Sequence, residues 1–451
     1  MYCTRRNFNR LGALALGGLM TRRPAAAADV PAADLTLTIA SCEVELSARK
    51  RLRTIAYNGQ VPGPLLRLQE GRQVTIEVHN QSPDPEVVHW HGLHLSPDVD
   101  GAMEEGTPMI APGATARYSF TPEPAGFRWY HTHTFAGNDL KKAQYGGQHG
   151  FLWIEPRENP GHYDREYFLA LHDWRGEMLA SDDGSTMPVY DTSTINGKVL
   201  GFGEPLRVRE GERVLLHLLN SSPTEVHWLS LSGHRFEVIA LDGNPVARPQ
   251  TVDMLRLAPA ERISAIVTMN APGVWVLGEV REHVQAAGMG IVIEYAGAAG
   301  KPAWQQPQTL VWSYEPFAEP ASIRQATPAQ PIELVFDSKF EGHGSEELWR
   351  INGRSYPHTD EPILQSGQAY RLVMKNLSLD WHPIHLHRHT FEILQLGKGP
   401  RVQGLRKDVV LIPPQAISEI AFVANHPGKT LLHCHQQDHM DRGFMMLFRY
   451  A

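Results

Sequence analysis

The sequence predicts an all-β protein built from three related sandwiches, and three observations carry that prediction. The first is an internal repeat: Asn58-Gly59, Asn196-Gly197 and Asn352-Gly353 are each followed by a later glycine (Gly71, Gly211, Gly367) and, nine residues on, by an asparagine (Asn80, Asn220, Asn376). The second is the alternating strand between those marks: Val74 to Val78, Val214 to Leu218 and Tyr370 to Met374. Each copy therefore reads as turn, strand, turn, strand, with the asparagine leaving the sheet. The third is punctuation by 39 Gly and 33 Pro with few long helical periodicities, which suits sandwiches rather than bundles. A period of about 140–155 residues marks related domains, not solenoid repeats.

The first 28 residues read as an address. Thr4-Arg5-Arg6-Asn7-Phe8-Asn9-Arg10 precedes a mild apolar stretch, Leu11 to Met20, and then Pro24 and the run Ala25 to Ala28. A basic region, a short apolar region and a small-residue cleavage site with paired arginines resemble a twin-arginine signal. That implies export in the folded state by the twin-arginine machinery, and a periplasmic or otherwise extracytoplasmic destination. Three domains follow, at 29–157, 158–305 and 306–451, with boundaries in Glu155 to Pro160 and in the Ala/Gly/Pro-rich Ala296 to Pro302.

Composition excludes several classes. At 451 residues, two to four domains are expected at about 100–200 residues each. With 42% hydrophobic and 20% charged residues the chain is not disordered, and 3 Cys cannot staple it. No apolar run approaches the ~20 residues of a membrane span. Removing residues 1–28 takes five arginines and no acid, leaving 37 basic against 49 acidic residues, a net −12 that argues against nucleic acid. A monomer is expected. Of the two cysteines that remain, Cys42 reads as a buried small hydrophobe.

Histidine carries the chemistry: of 23, twelve sit in four short clusters. Domain one has His89-Trp90-His91 and His131-Thr132-His133; domain three has His385-Leu386-His387 and His433-Cys434-His435. Residues i and i+2 of a strand share a face, so each pair presents two imidazoles together, and neutral imidazole suits Cu, Zn, Fe and Ni. The middle domain is an internal control. Its segment Val226 to Gly243 places Ser230 and Ser232 where histidines stand, while His234-Arg235-Phe236-Glu237 echoes His389-Thr390-Phe391-Glu392. The fold alone does not require histidine there.

Parity gives a second site. Cys434 points away from His433 and His435, and His382 is an odd number of residues from His385 and His387, so it also faces away. His439, five past Cys434, lies just beyond the strand and can loop back. Two His and one Cys thiolate form the trigonal set of a blue-copper electron-transfer site. The covalent neighbours of Cys434 serve the opposite face, so an electron reaching the thiolate has a short through-bond route to the other imidazoles.

Four His-x-His motifs with His-Cys-His-x3-His near the C-terminus resemble the three-domain bacterial multicopper oxidases, the laccase-like family, over the whole mature chain. The resemblance implies three cupredoxin-like Greek-key sandwiches and four coppers per chain. It gives type 1 copper to His382, Cys434 and His439, and type 2 to His89 and His385. One type 3 copper falls to His91, His131 and His435, the other to His133, His387 and His433. It implies one-electron oxidation of a small reductant coupled to four-electron reduction of O2 to water. The axial position five past His439 is Phe444, which cannot ligate, so a three-coordinate type 1 copper of raised potential is expected. Met445 or Met446 could serve only by a shift of strand register. Asp100 resembles the family's acid beside the cluster, and equally reads as a turn aspartate. The second family acid has no match: Met440 and Gln437 stand at its usual positions, and Asp438 is out of register. Phenols and aromatic amines are the expected reductants. The alternatives are Cu(I) or Fe(II), for which no Met-rich segment exists, and a non-catalytic copper-binding protein.

Overall fold

A computed structural model describes residues 32–157, 162–180, 186–320, 330–340 and 347–451. The leader expected at 1–28 lies outside them, as does the first boundary at residues 158–161. Within the described residues, three pairs of sheets follow one another along the chain. In the first, Lys50–Tyr57, Leu35–Ser47, Val74–Asn80 and Thr115–Phe120 face Gly63–Gln69, His149–Glu155, Gly126–Thr132 and Val88–His89. In each of the other two, a six-stranded sheet faces a five-stranded one. The repeat in sequence is a repeat in topology: Leu35–Ser47 runs parallel to Val74–Asn80, Arg165–Ala180 to Arg213–Asn220, and Gln330–Phe340 to Ala369–Asn376.

The repeated asparagines have physical causes. Asn58, Asn196 and Asn352 take φ of 51°, 52° and 52°, and the glycines after them 70°, 71° and 75°. Two successive left-handed residues make the hairpin turn whose twist matches its strands, and Asn-Gly reaches it at least cost. Each Asn side chain also accepts a backbone N–H, from Thr38, Ala170 and Val335 at 2.7, 2.8 and 2.8 Å. The second asparagines, Asn80, Asn220 and Asn376, are fully buried. Their Nδ2 groups donate to two carbonyls each: Asp84 and Ile110, Glu225 and Leu257, Asp380 and Pro413. They satisfy main-chain acceptors where the strand leaves the sheet, which a buried loop cannot leave unpaired.

Alternation fills the interior. Val74, Ile76 and Val78 point into the first core, beside Trp90 and Tyr130. The cores of the second and third sandwiches form one continuous cluster that includes Tyr314 and Phe317 of the connecting segment. Cys42 departs from expectation: it is half-buried, packed against the cluster of Val44, Leu46, Ala56, Val61 and Trp174. Its strand outruns the parallel pairing that ends at Ile39, so at Cys42 it is paired to Lys50–Tyr57 on one edge only.

Candidate metal centre

Strand pairing delivers the histidines. His89 lies opposite His131 in the first sandwich, and His385 opposite His433 in the third. The two faces meet, so rings from different sandwiches come into contact: His91 stacks on His385 at 3.8 Å between centroids, and His89 on His387 at 4.1 Å. His133 lies 5.1 Å from His387 and 5.2 Å from His433, while His435 lies 5.2 Å from both His91 and His131. All eight pair histidines are brought together, and each is 2% exposed or less.

Burial, reinforced by the crowding of the rings, pushes the His91, His131, His387, His433 and His435 pKa values well down, and His133 and His385 to about 3. The rings are therefore neutral, with lone pairs free for a cation. Nε2 of His89, His133, His385 and His435 is buried and has no hydrogen-bond partner among the described residues. Orphaned acceptors of this kind are rare, and here they converge. Donor atoms of His133, His387 and His433 lie within 4.8 Å of one another, as do those of His89, His91 and His131.

The second set assembles on the other face, as parity requires. Cys434 Sγ is 3.7 Å from His382 Nδ1 and 3.6 Å from His439 Nδ1, and the two nitrogens are 3.2 Å apart. His439 arrives on the short helix Gln437–Asp441. Burial pushes the Cys434 thiol well up, so an anionic sulfur here needs a cation beside it. A thiolate with two neutral imidazoles is a donor set that fits copper. The buried Phe444 ring is 4.8 Å from His382 and stacks on Trp349 at 5.6 Å. Met445 packs the other way, with Ala102, Leu431, Met440 and Leu447, while Met446 lies opposite Leu432. Trp349, which sequence reasoning missed, lies 4.8 Å from His382 and 4.1 Å from His439.

Acids line the cluster. Asp100, in the helical turn Pro97–Asp100, is fully buried; its Oδ2 accepts from His387 Nδ1 at 2.9 Å and its carbonyl from His89 Nδ1 at 2.8 Å. Sequence reasoning missed two neighbours. Glu105 accepts from Leu431 N at 2.6 Å and lies 3.7 Å from His387 Nδ1; burial and the Asp100 charge push its pKa well up. Glu104, raised by burial, is 3.9 Å from His133 Nδ1. Two adjacent acids four and five residues past Asp100 were the available cue. Asp438 sits apart, 4.0 Å from His439 Nε2. Asp408, also missed, accepts from His91 Nε2 at 3.1 Å. No cue marks it, because it lies 317 residues from His91.

The second sandwich shows what the frame looks like without ligands. Leu229 pairs with Glu279 and Leu231 with Leu277, as Ile384 pairs with Cys434 and Leu386 with Leu432, a constant offset of 155 (384 − 229, 434 − 279). At that offset His227 occupies the place of His382, Glu279 of Cys434, Val284 of His439 and Met289 of Phe444. His227 donates from Nδ1 to Glu279 at 3.1 Å and from Nε2 to Asp173 at 2.8 Å. His234, bonded to Tyr295, repeats His389 bonded to Tyr450, so that pair belongs to the framework.

A protein of cupredoxin sandwiches that buries this many convergent imidazoles beside a Cys-His-His set belongs to the copper redox proteins. Family models described as multicopper oxidase match residues 38–159, 165–293 and 325–451, and the chain belongs to that family, whose members are copper-dependent oxidoreductases using O2. It is similar to Multicopper oxidase MmcO of Mycobacterium tuberculosis, 29% identical over 92% of this chain and 86% of that one. Laccase-3 of Thanatephorus cucumeris is 25% identical, covering 87% and 86%. A crystal structure of a multicopper oxidase from Pseudomonas thermotolerans superposes with a TM-score of 0.72 at 26% identity, covering 93% of this chain and 100% of that one. Fet3p, described as a multicopper oxidase that functions in iron import, shares the fold at a TM-score of 0.79 and 21% identity, covering 92% and 90%.

Proposed function

We propose that the protein is a laccase-type oxidase that takes single electrons from phenols and aromatic amines and reduces O2 to water. Four coppers per chain are assigned: type 1 to His382, Cys434 and His439; type 2 to His89 and His385; the type 3 pair to His91, His131 and His435, and to His133, His387 and His433. When bound, copper supplies one-electron redox chemistry at the first site and O2 reduction at the other three. The residues' own work is positional. Cys434 belongs to one donor set and its covalent neighbours His433 and His435 to the other, so a single stretch of backbone joins the two. Asp100 orients His387 and His89, and Glu105 holds a proton on its carboxyl beside them, ready for reduced oxygen. The leader supports export by the twin-arginine route to an extracytoplasmic compartment, where the protein acts as a monomer.

One observation carries the substrate class. His439 is the most exposed of the proposed ligands at 7%, and Trp381, next in sequence to its partner His382, is 41% exposed with the Arg256 guanidinium 5.4 Å over its ring. Gln436 Nε2 donates to the Trp381 carbonyl at 3.0 Å, tying the Trp381 main chain to the start of the helix that carries His439. A flat aromatic reductant fits such a surface. Asp438 favours the second reading, a metallo-oxidase: its buried Oδ1 has no hydrogen-bond partner among the described residues, and burial pushes its pKa up to about 6. Oxygen uptake by copper-loaded protein with a phenol, Fe(II) and Cu(I) decides. Fastest turnover is expected with the phenol, and preference for either ion would overturn the assignment.

A further inference from the structure

We infer that the second sandwich, which supplies none of the assigned ligands, aims one of them: Arg262 is a positioning residue that fixes Asp408 so that Asp408 fixes the His91 ring. This rests on the assignment of His91 as a copper ligand. The starting point is ring orientation. His89, His131, His385, His387 and His433 all turn Nδ1 outward to a protein acceptor, which leaves Nε2 for the cluster. His91 is reversed. Its Nε2 meets Asp408 Oδ1 at 3.1 Å, and its Nδ1 faces His131 Nε2 at 3.4 Å. An imidazole offers either nitrogen, and the tautomer is set by what the other nitrogen donates to. His91 therefore depends on an acceptor held at one place.

That acceptor is gripped from the second sandwich. Arg262, at the start of strand Arg262–Thr268, donates Nη1 to Asp408 Oδ1 and Nη2 to Oδ2, both at 2.6 Å. The planar fork fixes the carboxylate plane as well as its position, which a lysine could not do. Arg128 adds one longer bond to Oδ2, at 3.3 Å. Arg262 is itself anchored, its N–H donating to Asp242 Oδ1 at 3.0 Å and Nη1 to the Ala260 carbonyl at 3.0 Å. The Asp408 carbonyl accepts from His385 Nδ1 at 2.7 Å, so this one residue holds a cluster ring from the first sandwich and another from its own, the third. Packing leaves no slack. Gly92, at φ +85°, lies so close that a Cβ there would stand 2.7 Å from Asp408 Oδ2 and 2.9 Å from Arg262 Nη2.

The test compares Arg262→Met and Arg262→Lys with Leu255→Ala, a core truncation in the same sandwich at a residue that makes none of the hydrogen bonds just described. Copper per chain, the blue absorption of the Cys434 site and the rate of copper loss to a chelator are measured alongside melting temperature. Arg262→Met is expected to keep its blue absorption while losing cluster copper 10- to 100-fold faster, the usual cost of removing an outer support. Arg262→Lys falls between it and the parent, and serves if the Met variant does not fold. Leu255→Ala melts earlier but keeps all its copper. Parent-like retention in both Arg262 variants, or equal copper loss in Leu255→Ala, overturns the inference. A parent protein lacking four coppers would instead overturn the ligand assignment.

Discussion

Phe444→Met alters the surroundings of the proposed type 1 site while leaving its assigned ligands His382, Cys434 and His439 in place. The ring stacks on Trp349 at 5.6 Å with 6° between planes and meets Phe336 edge-on at 5.0 Å. Each aromatic pair contributes roughly 0.5–1.5 kcal/mol beyond its buried area, and a thioether recovers about 0.3–1.5 kcal/mol against an aromatic face. Phe and Met are close in volume, so the net stability cost should be about 1 kcal/mol, small enough for the variant to fold. The electronic effect is separate. A thioether beside His382 and His439 would donate density to copper and stabilise its oxidised state, lowering the potential by something on the order of the ~59 mV that corresponds to a tenfold change for one electron. Spectroelectrochemical titration measures it, and reductants that are hard to oxidise should slow most. The competing arrangement has Met446 already serving, since it shares the strand face of Phe444. In that case Met446→Leu raises the potential while Phe444→Met leaves it unchanged. An unmoved potential in Phe444→Met would refute the reasoning.

Three further outcomes follow from the geometry. Cys434→Ser should abolish the blue absorption and substrate oxidation while three coppers remain bound; loss of all four would contradict the separation of the two donor sets. Glu105→Gln should slow O2 consumption by about 10²-fold, within the range for a lost general acid, while reduction of the Cys434 site by substrate stays at the parental rate. For His227, burial lowers the pKa but Asp173 and Glu279 outweigh it and raise it to about 10. A folded value above the unfolded ~6.5 means stabilisation that is complete below that pH and is lost as pH rises toward 10. Melting temperature should therefore decline over that window. His227→Leu should flatten the decline and cost about 3–5 kcal/mol at neutral pH by removing the cation beside Asp173, which keeps the Ser193 hydroxyl, while Glu279 retains Arg281; an unchanged slope would exclude the imidazolium.

Legibility in the sequence tracked the range of the interaction. The sandwiches were readable because Asn-Gly turns and alternating strands are local events with fixed spacing. The clustering of the imidazoles was readable from the His-x-His spacing, although the strands end at His89, Thr132, Leu386 and Cys434, so the second histidine of each pair lies just past its strand. His382 and Cys434 were readable because parity acts within their strands. Glu104 and Glu105 were equally close at hand, but two acids in a loop usually mean a solvated turn, and only the burial of both reveals otherwise. Trp349 and Asp408 left no trace, since each meets the site through contacts that depend on how strands from distant segments lie together. The expected burial of Cys42 failed for a related reason: residue type predicts the interior, but not where a strand outruns its neighbour.

The paired registers of the second and third sandwiches bear on how electrons are routed. A duplicated fold inherits two sockets, and a redox chain with two live sockets can strand charge in the one that leads nowhere. At the offset of 155, the neighbours of Glu279 are Gly278 and Val280, where Cys434 has His433 and His435. Any carrier seated there would lack wiring to the oxygen-reducing end. The second sandwich instead closes its socket with His227, whose two ring nitrogens are both engaged, by Glu279 at 3.1 Å and Asp173 at 2.8 Å, so that no lone pair is left for a metal ion. Insulation of that kind lets a threefold architecture work as a single circuit.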